Sequence, residues 1–121
     1  STHIAELPGW INLGLTSDEL DFATAPYTPI VVSNNEELLA VFEKNYDEAK
    51  AELKKANEEE LAKRWVLRNG EQILSDMDKY GIIRIAFSQT THHRAQLGVY
   101  FRLLGIPVPS SYGPTADDQS F

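Results

Sequence analysis

Cysteine is absent from all 121 residues. Thiolate nucleophiles, iron–sulfur clusters, cysteine-type zinc sites and disulfide frameworks are therefore excluded, and the composition suits a reducing cytoplasm. Long apolar runs are missing as well. Nothing approaches the roughly 18 to 20 consecutive apolar residues that cross a bilayer, and no charged segment followed by an apolar core opens the chain, so no membrane partner is expected. The third absence is clustered positive charge. Lys and Arg total 11 against 18 Asp and Glu, for a net charge of −7. A nucleic-acid partner needs Lys and Arg grouped to neutralise phosphates, and none is expected here. The densest basic group, Lys63, Arg64 and Arg68, follows Glu58, Glu59 and Glu60 and reads as solvated surface. No Ser-His-Asp arrangement, phosphate-cradling glycine loop or haem motif appears, and the acidic residues spread over solvated faces without a catalytic pair.

What is present is enough for a core. With 42% hydrophobic residues, the chain predicts one compact domain over residues 1–121 that needs no disulfide or structural zinc. Ser1, Thr2 and His3 stand where an initiator methionine would, which points to a start inside a larger product.

Ile4, Leu7, Ile11 and Leu15 recur at helical spacing and place an apolar stripe on a first helix over residues 3–15. Pro8 predicts a kink or a restart within it. Residues 16–32 carry two prolines and no sustained period, as a long crossing segment would. Ser33 and Glu36 have capping-box spacing, so a second helix is expected to start there and run to Lys54 and Lys55, with Leu38, Leu39, Phe42, Tyr46, Ala49 and Leu53 on its apolar face. Asn57 can cap a short acidic turn through Glu60. The Asn69-Gly70 pair is a strong hairpin signal. An isolated two-stranded hairpin is marginal, however, so an extended excursion packed on helices is expected instead of a sheet. The last helix is expected to start near Ser75 to Asp78 and to stop at Gly105, before Pro107. Its stripe of Ile82, Ala86, Gln89, His93, Leu97, Tyr100 and Leu104 is interrupted by two polar side chains.

Those two carry the chemical interest. Residues four apart on a helix lie above one another, so Gln89 and His93 can aim at one point, and His3 on another helix could supply a third ligand. Three protein ligands with an open position is the usual form of a catalytic metal site. A glutamine amide is a neutral, harder and weaker donor than imidazole for zinc or nickel. The competing reading is a buried imidazole or amide that satisfies a hydrogen bond within a helical bundle. His92 points about a quarter turn away from His93 and faces a rim or solvent. Glu6, one turn from His3, could orient its ring or simply lie on the surface, and Tyr100 is assigned to packing.

The segments "THIAELPGW", "HHRAQLGVYFRLLGIPVP" and "YGPTADD" resemble the DinB-like family of metal-binding four-helix bundles, and the resemblance covers nearly the whole chain. It implies an all-α, up-down four-helix bundle in which the helix upstream of the His3 segment, the family's first, is missing from this chain. It also implies a divalent metal, nickel or zinc, held by three histidines, one in the second helix and two spaced four apart in the last. By position these fall on His3, Gln89 and His93, with glutamine at Gln89 where the family pattern has histidine. Some relatives look like metal-dependent transferases that attach small-molecule thiols to electrophiles. The resemblance thus implies a thiol-transferase-type activity with a thiol or electrophile as partner; the alternative is a metal-free helical binding or dimerisation module of stress-related role. A stripe left uncovered by the missing helix would be a liability in a monomer, so a homodimer is expected.

Overall fold

The computed structural model describes residues 1–120. The chain forms two compact units, Ser1–Thr90 and the segment from Thr91 onward.

The first unit holds a helix α1 (Thr2–Thr16), a strand β1 (Glu19–Asp21), a helix α2 (Asn35–Lys55), a short helix α3 (Glu58–Leu61), strands β2 (Arg64–Asn69) and β3 (Gln72–Asp78), and the start of a helix α4 (Lys79–Leu103). The three strands lie in the order β1-β2-β3, with β1 parallel and β3 antiparallel to β2. The expectation of an all-α four-helix bundle is overturned by this sheet. Its physical reason is that the hairpin at Asn69 and Gly70 is not isolated. Glu19, Leu20 and Asp21 pair with Val66, Leu67 and Arg68, and a third strand gives the hairpin the support it would otherwise lack. Side chains fix that pairing. Arg68 grips both carboxylate oxygens of Glu19, at 2.7 and 3.1 Å, and pairs with Asp21 Oδ2 at 2.9 Å. Asp21 in turn accepts from the backbone N–H groups of Gly70 and Ala23, each at 2.9 Å, which tie the hairpin turn to β1. These bonds hold the buried Asp21 carboxyl below its usual range, the Gly70 amide contributing most. Gly70 itself has φ +60, the left-handed conformation the turn requires.

Pro8 does not end α1; the helix runs through it, with Pro8 buried. The proline lacks an N–H, and a donor arrives nearby from outside the helix: Asn45 Nδ2 of α2 bonds the Ala5 carbonyl at 2.9 Å. The cap of α2 lies one residue beyond the expected Ser33. Asn34 Oδ1 accepts from the Glu37 N–H at 2.8 Å, and the Glu37 carboxylate accepts from the Ser33 N–H at 2.7 Å. Asn57 caps α3 as expected, accepting from the Glu60 N–H at 2.9 Å. The last helix starts later than expected, because residues 72–78 extend as β3. Asp78 then accepts from the Gly81 N–H at 2.7 Å in the first turn of α4.

The core of this unit gathers Ile11 and Leu15 from α1, Ala49 from α2, and Ile83 and Ala86 from α4. Trp65 of β2 is its most deeply enclosed large side chain, with Nε1 donating to Ser17 Oγ at 3.2 Å. Gly14 allows α1 to approach α4 closely, since a Cβ there would lie 2.6 Å from Ile82 Cγ2. Besides Asp21, a second charged residue is buried in this unit: Lys79, whose Nζ donates to the Leu15 carbonyl at 3.2 Å and pairs with Glu60 at 2.8 Å and Asp18 at 3.2 Å.

The second unit contains the rest of α4 and the C-terminal tail. The helix closes at Leu103, with the Ile106 N–H donating back to the Phe101 carbonyl at 2.9 Å. The tail is fastened by its acidic residues. Asp117 accepts from the Val108 N–H at 2.9 Å and pairs with Arg102 at 2.8 Å, while Asp118 accepts from the N–H groups of Ser110 and Ser120 at 2.9 and 3.0 Å. Among the described residues, no helix is long and apolar enough to cross a membrane.

Candidate functional site

His3 enters from the first turn of α1, and Leu7 and Trp10 follow it one and two turns on along the same face. Gln89 enters from α4, on the face that carries Ile82, Ile85 and Ala86. These seven side chains and Leu67 of β2 line one cavity of about 260 Å³ in the first unit. The cavity is apolar but for His3 and Gln89, both of which are exposed at its edge. Two of the three expected donors thus border a common space. Trp10 and Leu67 were not singled out from the sequence. The signal for Trp10 was present in the i, i+4, i+7 spacing of His3, Leu7 and Trp10; Leu67 became a wall residue only because its segment joined a sheet.

His93 belongs to the second unit, where it is half-buried. Its Nδ1 and the Oε1 of Gln96, one turn on, are 2.8 Å apart. The amide oxygen can only accept, so Nδ1 is the donor in this bond. The His92 ring meets the His93 ring edge-on, with centroids 5.0 Å apart, and is exposed.

Glu6, considered as an orienting partner for His3, accepts a hydrogen bond from Tyr27 Oη at its Oε2, at 2.8 Å. That bond raises the Tyr27 hydroxyl above the usual phenol range. Tyr100, assigned to packing, is 62% exposed, and the buried stripe of α4 ends at Ala86. Among the described residues, no group of three or more His, Cys, Asp or Glu side chains is arranged to hold a metal ion. A set completed by an amide oxygen, as Gln89 would complete it, is of a different kind.

The donor chemistry near the cavity is neutral throughout. An imidazole suits zinc or nickel, and an amide oxygen adds a harder, weaker contact. The apolar walls lower the local dielectric, so any charge held at its edge would act more strongly than in open water. The arrangement places one imidazole and one amide at the edge of a pocket for an apolar group.

The family model described as the DinB family matches residues 3–120. No curated protein and no solved structure matches the chain.

Proposed function

The chain belongs to the DinB family, and from that membership we propose that it binds a divalent metal, nickel or zinc, through His3, Gln89 and His93, as a thiol-transferase-type protein with an altered centre. The observation that carries this reading is the shared cavity: His3 and Gln89, from helices at opposite ends of the chain, border one apolar space. The residues present fit the group in kind, as two imidazoles and one amide oxygen are acceptable neutral ligands. A divalent ion held there would supply the Lewis acidity that stabilises a substrate thiolate.

The protein's own contribution is binding. Leu7, Trp10, Leu67 and Ile82 give the cavity beside His3 and Gln89 an apolar wall, which strengthens the attraction between a thiolate lodged there and positive charge. The Gln96 amide oxygen holds the His93 ring through Nδ1, as an outer hydrogen-bond partner orients a ligating histidine. Gln89 is the weak member of the set, a neutral oxygen where the family pattern has a nitrogen.

Metal content measured after purification without added metal tests the reading. A stoichiometric nickel or zinc ion that His3→Ala removes supports it; a protein that takes up neither ion in titration overturns it. Gln89→His is expected to tighten binding about tenfold, the effect of one better donor. Equal affinity in the two proteins would mean that Gln89 is not a ligand.

A further inference from the structure

A second apolar cavity in the first unit is larger than the one beside His3. It measures about 450 Å³ and lies between α1, α2 and α4, with Leu7, Pro8 and Ile11 as its floor and Phe42, Tyr46 and Phe87 along its sides. It contains neither His3 nor Gln89, and no Asp or Glu lines it. The volume falls within the range of small-molecule sites, which are mostly apolar with a few placed polar groups. The placed groups here are two ammonium ions, Lys50 and Lys54, one turn apart on α2.

Like Lys44, Arg84 and Arg94, they form no ion pair among the described residues of this chain of net charge −7; what sets them apart is that both line one apolar cavity. Lys55, Lys63, Lys79, Arg64, Arg68 and Arg102 each have a carboxylate partner. Lys50 and Lys54 repel each other at i,i+4 spacing. The Lys50 ammonium lies over the Tyr46 ring, 5.3 Å from its centroid, which holds that charge at the cavity edge.

We propose that this cavity binds an apolar monocarboxylate, its hydrocarbon portion lying on Leu7, Ile11 and Phe42 and its carboxylate between Lys50 and Lys54. Two carboxylate oxygens match two ammonium groups, and the anion relieves the repulsion between them. The site does not depend on the metal reading, and its test needs no metal.

Octanoate and octanol share a chain length and differ in charge, and calorimetric titration of the full chain with each separates the two contributions. Octanoate is expected to bind with one-to-one stoichiometry and octanol about tenfold more weakly, the value of one charge-assisted hydrogen bond. The double substitution Lys50→Gln with Lys54→Gln is expected to remove the octanoate advantage and leave octanol unchanged; both lysines are exposed, and an unaltered thermal melt confirms the fold. Equal binding of the two ligands, binding of neither, or octanoate binding that survives the double substitution overturns the proposal. So does a concentration-dependent dimer in sedimentation that Phe87→Glu abolishes, which would assign the groove to a second copy.

Discussion

The two units of the chain are held together by different physics. The first encloses a true core, with Trp65 1%, Ala86 2%, Leu7 3% and Ile11 4% exposed. In the second, no described residue is buried, and Val99, Tyr100, Leu103 and Leu104 all stand in solvent. Its order comes from directed bonds: Asp117 and Asp118 to backbone N–H groups, Thr115 Oγ1 to the Val108 carbonyl at 2.6 Å, and Arg94 over the Tyr112 ring at 5.2 Å. Apolar burial is non-directional and cooperative, so damage to it spreads through a unit. Exposed hydrogen bonds fail one at a time, and regions that depend on them open locally at low cost. The difference matters for the site, because His3 and Gln89 belong to the first kind of structure and His93 to the second.

The hardest test of that contrast is Trp65→Ala. Truncation of an enclosed aromatic costs about 3 to 5 kcal/mol, the combined loss of transfer energy and the cavity left behind. The expected result is a large fall in the urea midpoint of the first unit, or loss of folding; a midpoint within error of wild type would mean that Trp65 is not a core member. Lys79→Met asks whether the buried charge in that core is structural. Removing it leaves the Leu15 carbonyl without this donor and Glu60 without one of its cations. Because Glu60 and Asp18 are partly open to water, the loss is expected near 2 kcal/mol, short of the 3 to 5 typical of a fully enclosed pair. A variant as stable as wild type would show that apolar packing replaces the network at no cost. Gln89→His is the milder perturbation, aimed at metal affinity and expected to leave stability unchanged, since that side chain is exposed.

Local signals were the legible part of this fold. Asn57 caps α3 and α2 reaches Lys55, both from residues within a few positions of each other; the Asn69-Gly70 turn signal was equally local but was set aside for want of a third strand. The sheet was illegible for a matching reason. β1 is three residues long, too short for alternation to show, and its parallel pairing rests on Arg68 reaching Glu19 and Asp21 from far along the sequence. Lys79 had no local mark of burial, since its partners come from α1, α3 and the segment between α1 and β1. At the site, helical spacing paired Gln89 with His93, whereas the cavity is bordered by Gln89 and His3, a pairing between distant helices that spacing along one helix does not encode. The Glu6 bond to Tyr27 depended on where the long segment after β1 would run, which no periodicity encodes.

The smallest effect is expected in the second unit, and pH sharpens it. Hydrogen bonds from the N–H groups of Ser110 and Ser120 hold the Asp118 carboxyl at about 2, below its ordinary 3.8. A carboxylate depressed in the folded state stabilises it fully above the ordinary value and loses that contribution as pH falls toward about 2. Glu60, depressed to about 2 chiefly by Lys63 and then by Lys79, weakens the first unit over a similar acid range, but there the apolar core remains to resist opening. The protection factor at Ser110, its exchange measured against the intrinsic rate at each pH, should therefore fall between pH 4 and 2 before that at Trp65 does, the window that the Asp118 shift sets. Asp118→Asn should reproduce the acid effect at neutral pH, quickening Ser110 exchange about tenfold while Trp65 stays protected. If Trp65 quickens in step with Ser110, the tail and the core open as one cooperative body, and the contrast between them fails.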